Sequence, residues 1–333
     1  MPEWVAAIYR WNIMAVVIGV FVFLNVLTFA LYGWEKAKER TRLGFALFGG
    51  GIGAAIGALL FRRKFKIGVW LGLIIASIVV IHIVNGLTLG RTIRFVEKDF
   101  YSANWPQELN GYRIAFMTDM HYIADEEMAA VIEKLNESGI DLLLLGGDFA
   151  DYGRNGDFFE STVREISRAE TTDGIWGVEG NHDNYARLFD LKARYGVGIL
   201  DNTGYEIRPG FYLAGVHDAW NREPSIKEAV AAANEDDFIL LISHNPDVSM
   251  WQPTAGIDLI LSGHTHGGQI TFFGYPFVLH TGLISEFGTR FAKGFAESAD
   301  GVPVFTSVGV GPNYGWPRVF AQPEAIIFTM WNE

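Results

Sequence analysis

Hydrophobic positions are spread unevenly along the 333 residues. Three uncharged apolar stretches come first, at 13–32, 43–61 and 67–87. Each is close to the roughly 20 residues that cross a bilayer core as a helix. Trp11, Tyr32 and Trp34 flank the first stretch, as interfacial aromatics do. Gly49, Gly53 and Gly57 recur at four-residue spacing in the second, a small-residue face that lets helices approach closely. His82 lies near the end of the third and is read as a packed residue. The pattern predicts a membrane domain over 1–90 with about three helices, a junction over 91–107, and a separate domain over 108–333.

From about Gly111 the periodicity changes. Short β-branched or aliphatic runs predict strands at 112–117, 142–145, 174–178, 238–242 and 257–261. Helical spacing places Met128, Val131, Ile132 and Leu135 on one face, and predicts further helices over 158–169, 185–195 and 226–233. Residues 205–216 read as a hairpin, and 302–306 and 325–328 as strands. Strands alternating with helices give an α/β domain behind an all-α membrane segment.

The net charge of -12 excludes a protein built to hold nucleic acid through a basic surface. It still permits an anionic phosphate substrate where metal ions supply local positive charge. With no cysteine in the chain, disulfides, thiolate metal sites and cysteine nucleophiles are all excluded.

The chemistry sits at the strand ends. The strand at 257–261 runs into Gly263-His264-Thr265-His266-Gly267, with small residues on both sides of two imidazoles. Four upstream strands end in the same way: Asp119-Met120-His121, Gly147-Asp148, Asn181-His182-Asp183 and His244. Strand ends on one edge of a sheet converge, and ligand-binding groups gather there. Asp119, His121, Asp148, Asn181, His244, His264 and His266 are too many for one tetrahedral ion and suit two ions sharing a carboxylate. Oxygen and nitrogen donors without sulfur suit Mn, Fe, Zn or Co. Two such ions are a standard device for displacement at phosphorus by an activated water.

In this order the five-part motif resembles the calcineurin-like metallophosphoesterase superfamily. The Gly-His-Thr-His-Gly-Gly-Gln ending and Ser307-Val308-Gly309-Val310-Gly311 are similar to its membrane-associated or exported bacterial branch. The resemblance implies two mixed β-sheets in a sandwich flanked by helices. It implies that Asp119, His121, Asp148 and His266 hold one divalent ion, and that Asp148, Asn181, His244 and His264 hold the other. It places His182 near the scissile phosphate as proton donor or hydrogen-bond donor, with Asp183 orienting it. Val308 stands where relatives often carry Arg.

The expected protein is a membrane-anchored dinuclear phosphoesterase. It would hydrolyse a phosphomonoester or phosphodiester, on a lipid-linked or envelope substrate, without binding nucleic acid. The alternative is a retired, metal-loaded membrane scaffold, which would be expected to have lost a ligand. Counting loop charges over three spans puts seven basic residues on the domain's side against five opposite, a weak tilt towards the cytoplasm. The exported relatives point to the extracytoplasmic side, which is the expectation adopted. His217, His280 and the aromatics Phe272, Phe273, Tyr275, Tyr314 and Trp316 fall outside the motif. The histidines are read as ordinary, and the aromatics as core, pocket or membrane contacts.

Overall fold

The computed structural model describes residues 67–121, 123–149, 156–184, 188, 191–311 and 317–333. The stretches 13–32 and 43–61, and Tyr314 and Trp316, lie outside the described residues. The chain divides into two compact units, Met1–Asn85 and Gly86–Glu333.

Helix α1 spans Ile67–Leu87 and contains no Asp, Glu, Lys or Arg. At 1.5 Å per residue it is about 30 Å long, the thickness of a bilayer's hydrocarbon core. Among the described residues it is the helix long and apolar enough to cross a membrane. Ile74, Val79, Val80, Ile81 and Val84 are all exposed along it. Apolar surface on every side is what a membrane helix presents to lipid.

The second unit begins with β1 (Arg94–Tyr101), inside the stretch read from sequence as a junction. There follow β2 (Tyr112–Met117), α2 (Asp125–Glu137), β3 (Leu142–Leu145), α3 (Gly156–Ile166), β4 (Ile175–Gly177), α4 (Leu191–Tyr195) and β5 (Val197–Ile199). Then come β6 (Thr203–Arg208), β7 (Phe211–Gly215), α5 (Ile226–Ala229), β8 (Phe238–Ile242), α6 (Val248–Trp251), β9 (Leu259–Ser262), β10 (Gly294–Glu297), β11 (Pro303–Thr306) and β12 (Glu324–Trp331).

These strands form two mixed sheets, ordered β1-β12-β2-β3-β4-β5 and β10-β11-β9-β8-β7-β6. The period-two alternation of each strand divides its side chains between two layers. Ile114, Phe116, Leu142 and Leu144 of the first sheet meet Leu213, Leu240, Leu259 and Phe305 of the second in the central core. Each such buried side chain contributes about 1.5–3 kcal/mol of transfer free energy. The other face of β2 and β3 carries Ala115, Met117, Leu143 and Leu145, covered by Met128, Val131 and Leu135 of α2 and by Val163 of α3. The second sheet's outer face packs Ala214, Leu241 and Ile260 against Ile226 and Ala229 of α5 and against Val248.

Strands β2, β3, β4 and β5 are mutually parallel, and so are β7, β8, β9 and β11. The carboxyl ends of β2, β3 and β4 therefore leave the first sheet at one edge, and those of β8 and β9 leave the second at one edge. That topology brings the predicted ligands together.

Candidate metal centre

The seven side chains singled out by the motif emerge within a few residues of five strand ends: Asp119 and His121 after β2, Asp148 after β3, Asn181 after β4, His244 after β8, and His264 and His266 after β9. The backbone there is strained. Nine non-glycine residues among those described have positive φ, and Asp119, His121, Asp148, His264 and His266 are five of them. Such conformations cost about 1–3 kcal/mol each and gather where a site imposes them. Two glycines show how tightly the loops close. A Cβ on Gly263 would stand 2.1 Å from Thr118 Oγ1 and 2.5 Å from Asp119 Oδ2; one on Gly180 would stand 2.3 Å from both the amide nitrogen and Oδ1 of Asp148.

One ligand group comprises Asp119, His121, Asp148 and His266, whose donor atoms all lie within 4.8 Å of one another. His121 Nε2 and His266 Nε2 are 3.0 Å apart, with the rings stacked at 4.8 Å. His266 Nε2 is 3.2 Å from Asp119 Oδ1, and His121 Nε2 is 3.5 Å from Asp148 Oδ2. The backbone N–H of His264 donates to both oxygens of Asp119, at 3.2 and 3.1 Å, and Thr118 Oγ1 donates to Oδ2 at 3.0 Å.

The other group comprises Asn181, His244 and His264, facing the same Asp148. His244 donates its Nδ1–H to the Gly146 carbonyl at 2.6 Å, which leaves Nε2 pointing inward. That nitrogen is 3.0 Å from Asn181 Oδ1 and 3.3 Å from Asp148 Oδ2. His264 donates its Nε2–H to the Ile284 carbonyl at 3.0 Å, so Nδ1 turns a lone pair inward, 2.8 Å from Asn181 Oδ1. Two acceptors face each other with no hydrogen between them. A cation between such atoms removes the mismatch, and a backbone carbonyl behind a ligating histidine is the usual way its tautomer is set. The donor set fits divalent metal ions.

The electrostatics agree with a site built for positive charge. Burial would raise the pKa of Asp119, yet His266, with His244 and His121, holds it well below the carboxylate range. Burial acts the same way on Asp148, which His244 and His121 nevertheless hold low. Burial would lower His244, but Asp148 and then Asp119 lift it well above the usual imidazole value. Desolvation takes His264 down to about 4, with His244 adding to the effect, and desolvation also lowers His266.

His182 is half-buried beside the first group, its ring 5.2 Å from that of His121 and nearly perpendicular to it. Its backbone N–H donates to Asp148 Oδ1 at 2.8 Å, so its position is tied to the carboxylate common to both groups. Asp183 is buried and accepts from the N–H groups of Asp148, Phe149 and Gly180, each at 2.8 Å. It clasps the loop after β3 to the loop after β4. Burial and the neighbouring Asp148 push its pKa well up, against the Gly180 and Phe149 N–H groups and the His244 charge.

Two residues at the site carry no signal in the motif. Arg318 is fully buried, and burial brings its pKa down to about 10. Its Nε–H donates to the Gly311 carbonyl at 2.7 Å and an Nη1–H to the Val308 carbonyl, while Nη2 lies 3.2 Å from His266 Nδ1. A guanidinium thus reaches the site from a position ten residues after Val308, whose own side chain is buried against Gly267. Trp220, 56% exposed, sets its ring edge-on against His264 at 4.8 Å. Its neighbour Asn221 donates to the Gly180 carbonyl at 3.0 Å. Neither could be found by spacing, because each reaches the site by tertiary contact alone.

The remaining histidines are held elsewhere. His217 pairs with Asp201 through Nε2 and places Nδ1 3.0 Å from the Glu223 carbonyl. His280 bonds the Tyr275 hydroxyl at 2.5 Å, and His82 bonds the Ile78 carbonyl one turn back in α1 at 2.8 Å.

Residues 112–268 match the calcineurin-like phosphoesterase family. A protein of Helicobacter pylori described as an uncharacterized metallophosphoesterase is 27% identical over 228 residues, covering 65% of this chain and 58% of that protein. The chain thus spans less than two thirds of the length of the Helicobacter relatives it matches. A zebrafish protein described as a transmembrane protein with metallophosphoesterase domain is 24% identical over 279 residues, covering 77% of this chain and 61% of that one. Among solved structures, a dimetal phosphatase from Danio rerio is similar with a TM-score of 0.39 and 10% identity, covering 61% of this chain and 90% of that one.

Proposed function

We propose that the chain, whose residues 112–268 match the calcineurin-like phosphoesterase family, is a membrane-anchored, dinuclear metal-dependent phosphoesterase cleaving a phosphomonoester or phosphodiester with water. The observation that carries the reading is the pair of candidate ligand groups meeting at Asp148, with imidazole nitrogens turned toward one another in the first and, in the second, His264 Nδ1 facing Asn181 Oδ1 without a hydrogen to share. In this reading Asp119, His121, Asp148 and His266 hold one ion, and Asp148, Asn181, His244 and His264 hold the other. Bound there, divalent cations supply Lewis acidity to phosphoryl oxygens and acidify a water molecule.

The chain's own residues do the rest. Gly146 and Ile284 carbonyls fix the ring orientations of His244 and His264, so both turn their inner nitrogens toward the site. His182 presents its imidazole beside His121 and gives a proton, or a hydrogen bond, to the leaving oxygen. Asp183 positions it through the loop it clasps rather than through the substrate. Trp220 walls the His264 side and offers an apolar face to the ester's organic part. Helix α1 holds the domain at the membrane, on the extracytoplasmic side, where the substrate is a lipid-linked or envelope phosphoester.

The test uses the full chain in lipid nanodiscs with Mn²⁺ and matched aryl phosphomonoester and phosphodiester substrates. Metal-dependent turnover that disappears in Asp148→Asn supports the reading, and the faster substrate identifies the ester class. A protein that holds two ions and turns over neither ester contradicts it. Sidedness is checked separately with a reporter fused after Glu333; activity of a cytoplasm-only reporter would overturn the extracytoplasmic assignment.

A further inference from the structure

The segment joining the second ligand group to the rest of the second unit has two contrasting sides. Inward, Leu279 is fully buried, Gly268 leaves room for Pro276 where a Cβ would come within 2.4 Å of it, and the Ile284 carbonyl holds His264. Outward, Phe272, Phe273, Tyr275 and Phe277 are each more than half exposed, and Leu283 is 75% exposed. Loops at a protein surface are ordinarily polar. Five large apolar side chains offered to solvent within twelve residues call for a covering surface.

What covers them is indicated by where the chain enters this unit. Thr271 N–H donates to the Val319 carbonyl at 3.0 Å, and the Phe273 ring packs on Phe320 at 5.3 Å. On that same Val319–Phe320 strip lies Gly86, where a Cβ would stand 3.1 Å from the Val319 side chain. Gly90 follows it, so close to the Arg318 carbonyl that no Cβ could fit. Gly86 is the last turn of the apolar helix α1, and the next residues bring exposed Leu87 and Leu89 and then exposed Arg91. Lys293 is likewise exposed, its ammonium beside Gly274 at the edge of the aromatic loop. Apolar and aromatic residues rimmed by cations are the composition of a surface that lies in the headgroup region of a bilayer.

We propose that residues 272–283 rest in the headgroup–acyl boundary of the membrane that α1 enters, so that the ligand loop at His264 and His266 sits at the lipid surface. The inference rests on the anchoring part of the proposed function, not on hydrolysis. It makes the phosphate of a membrane amphiphile the substrate class with most direct access to the metal centre.

The chain has no cysteine, so single thiols can be introduced without background. Full-length variants Phe277→Cys and Leu283→Cys, with Val79→Cys in α1 as the anchoring control, are labelled with a fluorophore in nanodiscs. Glu235→Cys, exposed in the turn that leads into the opposite end of β8, serves as the aqueous control. Nitroxide-labelled lipid should quench the probes at 277 and 283 at least about twofold more than the probe at 235. Quenching at 79 but not at 277 or 283 overturns the docking surface and leaves anchoring intact. No quenching at 79 overturns both. Shielding of 277 and 283 from aqueous iodide without quenching by lipid, in particles holding two copies, would assign the patch to a second chain and also overturn the proposal.

Discussion

Of the two ligand groups that meet at Asp148, one is braced by main-chain carbonyls and the other leans on a cation. His244 and His264 each give their outer N–H to a backbone oxygen, Gly146 or Ile284, so their inner nitrogens are held facing the site. His266 instead has the Arg318 guanidinium 3.2 Å from its Nδ1, a group that can only donate. Its hydrogen then belongs on Nε2, the nitrogen that faces Asp119 and His121. To bind an ion through Nε2, His266 must move that hydrogen to Nδ1, and Arg318 must turn away from it. The carbonyl-backed group has its ring orientations fixed and has only the His244 proton to lose, whereas its neighbour has to rearrange, and fixed orientation is what outer contacts contribute to a metal site.

The largest expected effect removes what the two groups have in common. Asp148→Asn should drop metal content from two ions to one or none and lower turnover at least about 10³-fold, as when a member of a concerted catalytic set is lost. Retention of two ions with near-normal turnover would break the idea that Asp148 belongs to both groups. His182→Ala, by contrast, should keep both ions and lose about 10²–10⁴-fold in kcat, the range of a general acid or base. Loss of metal in that variant would move His182 into the ligand set.

The comparison itself predicts unequal filling. Calorimetric titration of metal-free protein with Mn²⁺ should show two steps separated by about tenfold or more in affinity, the scale of outer-contact effects. The tighter step should vanish in Asn181→Ala and the weaker one in His121→Ala; the reverse assignment contradicts the account. The pH dependence has a definite sign. His244 has a folded pKa above its ordinary value, so its ion pair with Asp148 is present below that value and is lost as pH rises through the folded pKa. An incoming ion must displace that proton. Affinity should therefore fall as pH falls, with a proton released on binding in paired buffers of different ionisation enthalpy. His264, with its pKa near 4, should release none at neutral pH.

The smallest effect concerns packing. Gly180→Ala puts a methyl 2.3 Å from Asp148, and overpacking of this kind costs about 1–3 kcal/mol. Its unfolding midpoint should fall, and the carbonyl-backed step should weaken more than the other.

Much of this architecture is legible in the sequence because it is local. The strands at 112–117, 142–145 and 238–242 and the α2 stripe of Met128, Val131, Ile132 and Leu135 follow from periodicity alone. The candidate ligands sit within a few residues of strand ends, so reading the strands brings them into view. What was hidden depends on distant pairing. Strand β1 carries Arg94, Glu97, Lys98 and Asp99, charges that suit an edge strand but read as a linker. Its partner β12 lies some 230 residues away, Arg94 opposite Glu324. The Ile284 carbonyl behind His264, the Arg318 guanidinium behind His266 and the Trp220 edge are likewise set by tertiary contact, and no spacing rule reaches them. Helix 185–195 is found as Leu191–Tyr195, with most of its start outside the described residues.

The most direct test of the central claim measures bound metal and turnover together, on the full chain in nanodiscs, for the native protein and Asp148→Asn. Two ions per chain and metal-dependent hydrolysis of an aryl phosphoester are expected in the native protein, with metal content falling to one ion or none and hydrolysis lost in the variant. Two ions in the native protein with no hydrolysis of either ester class would contradict it.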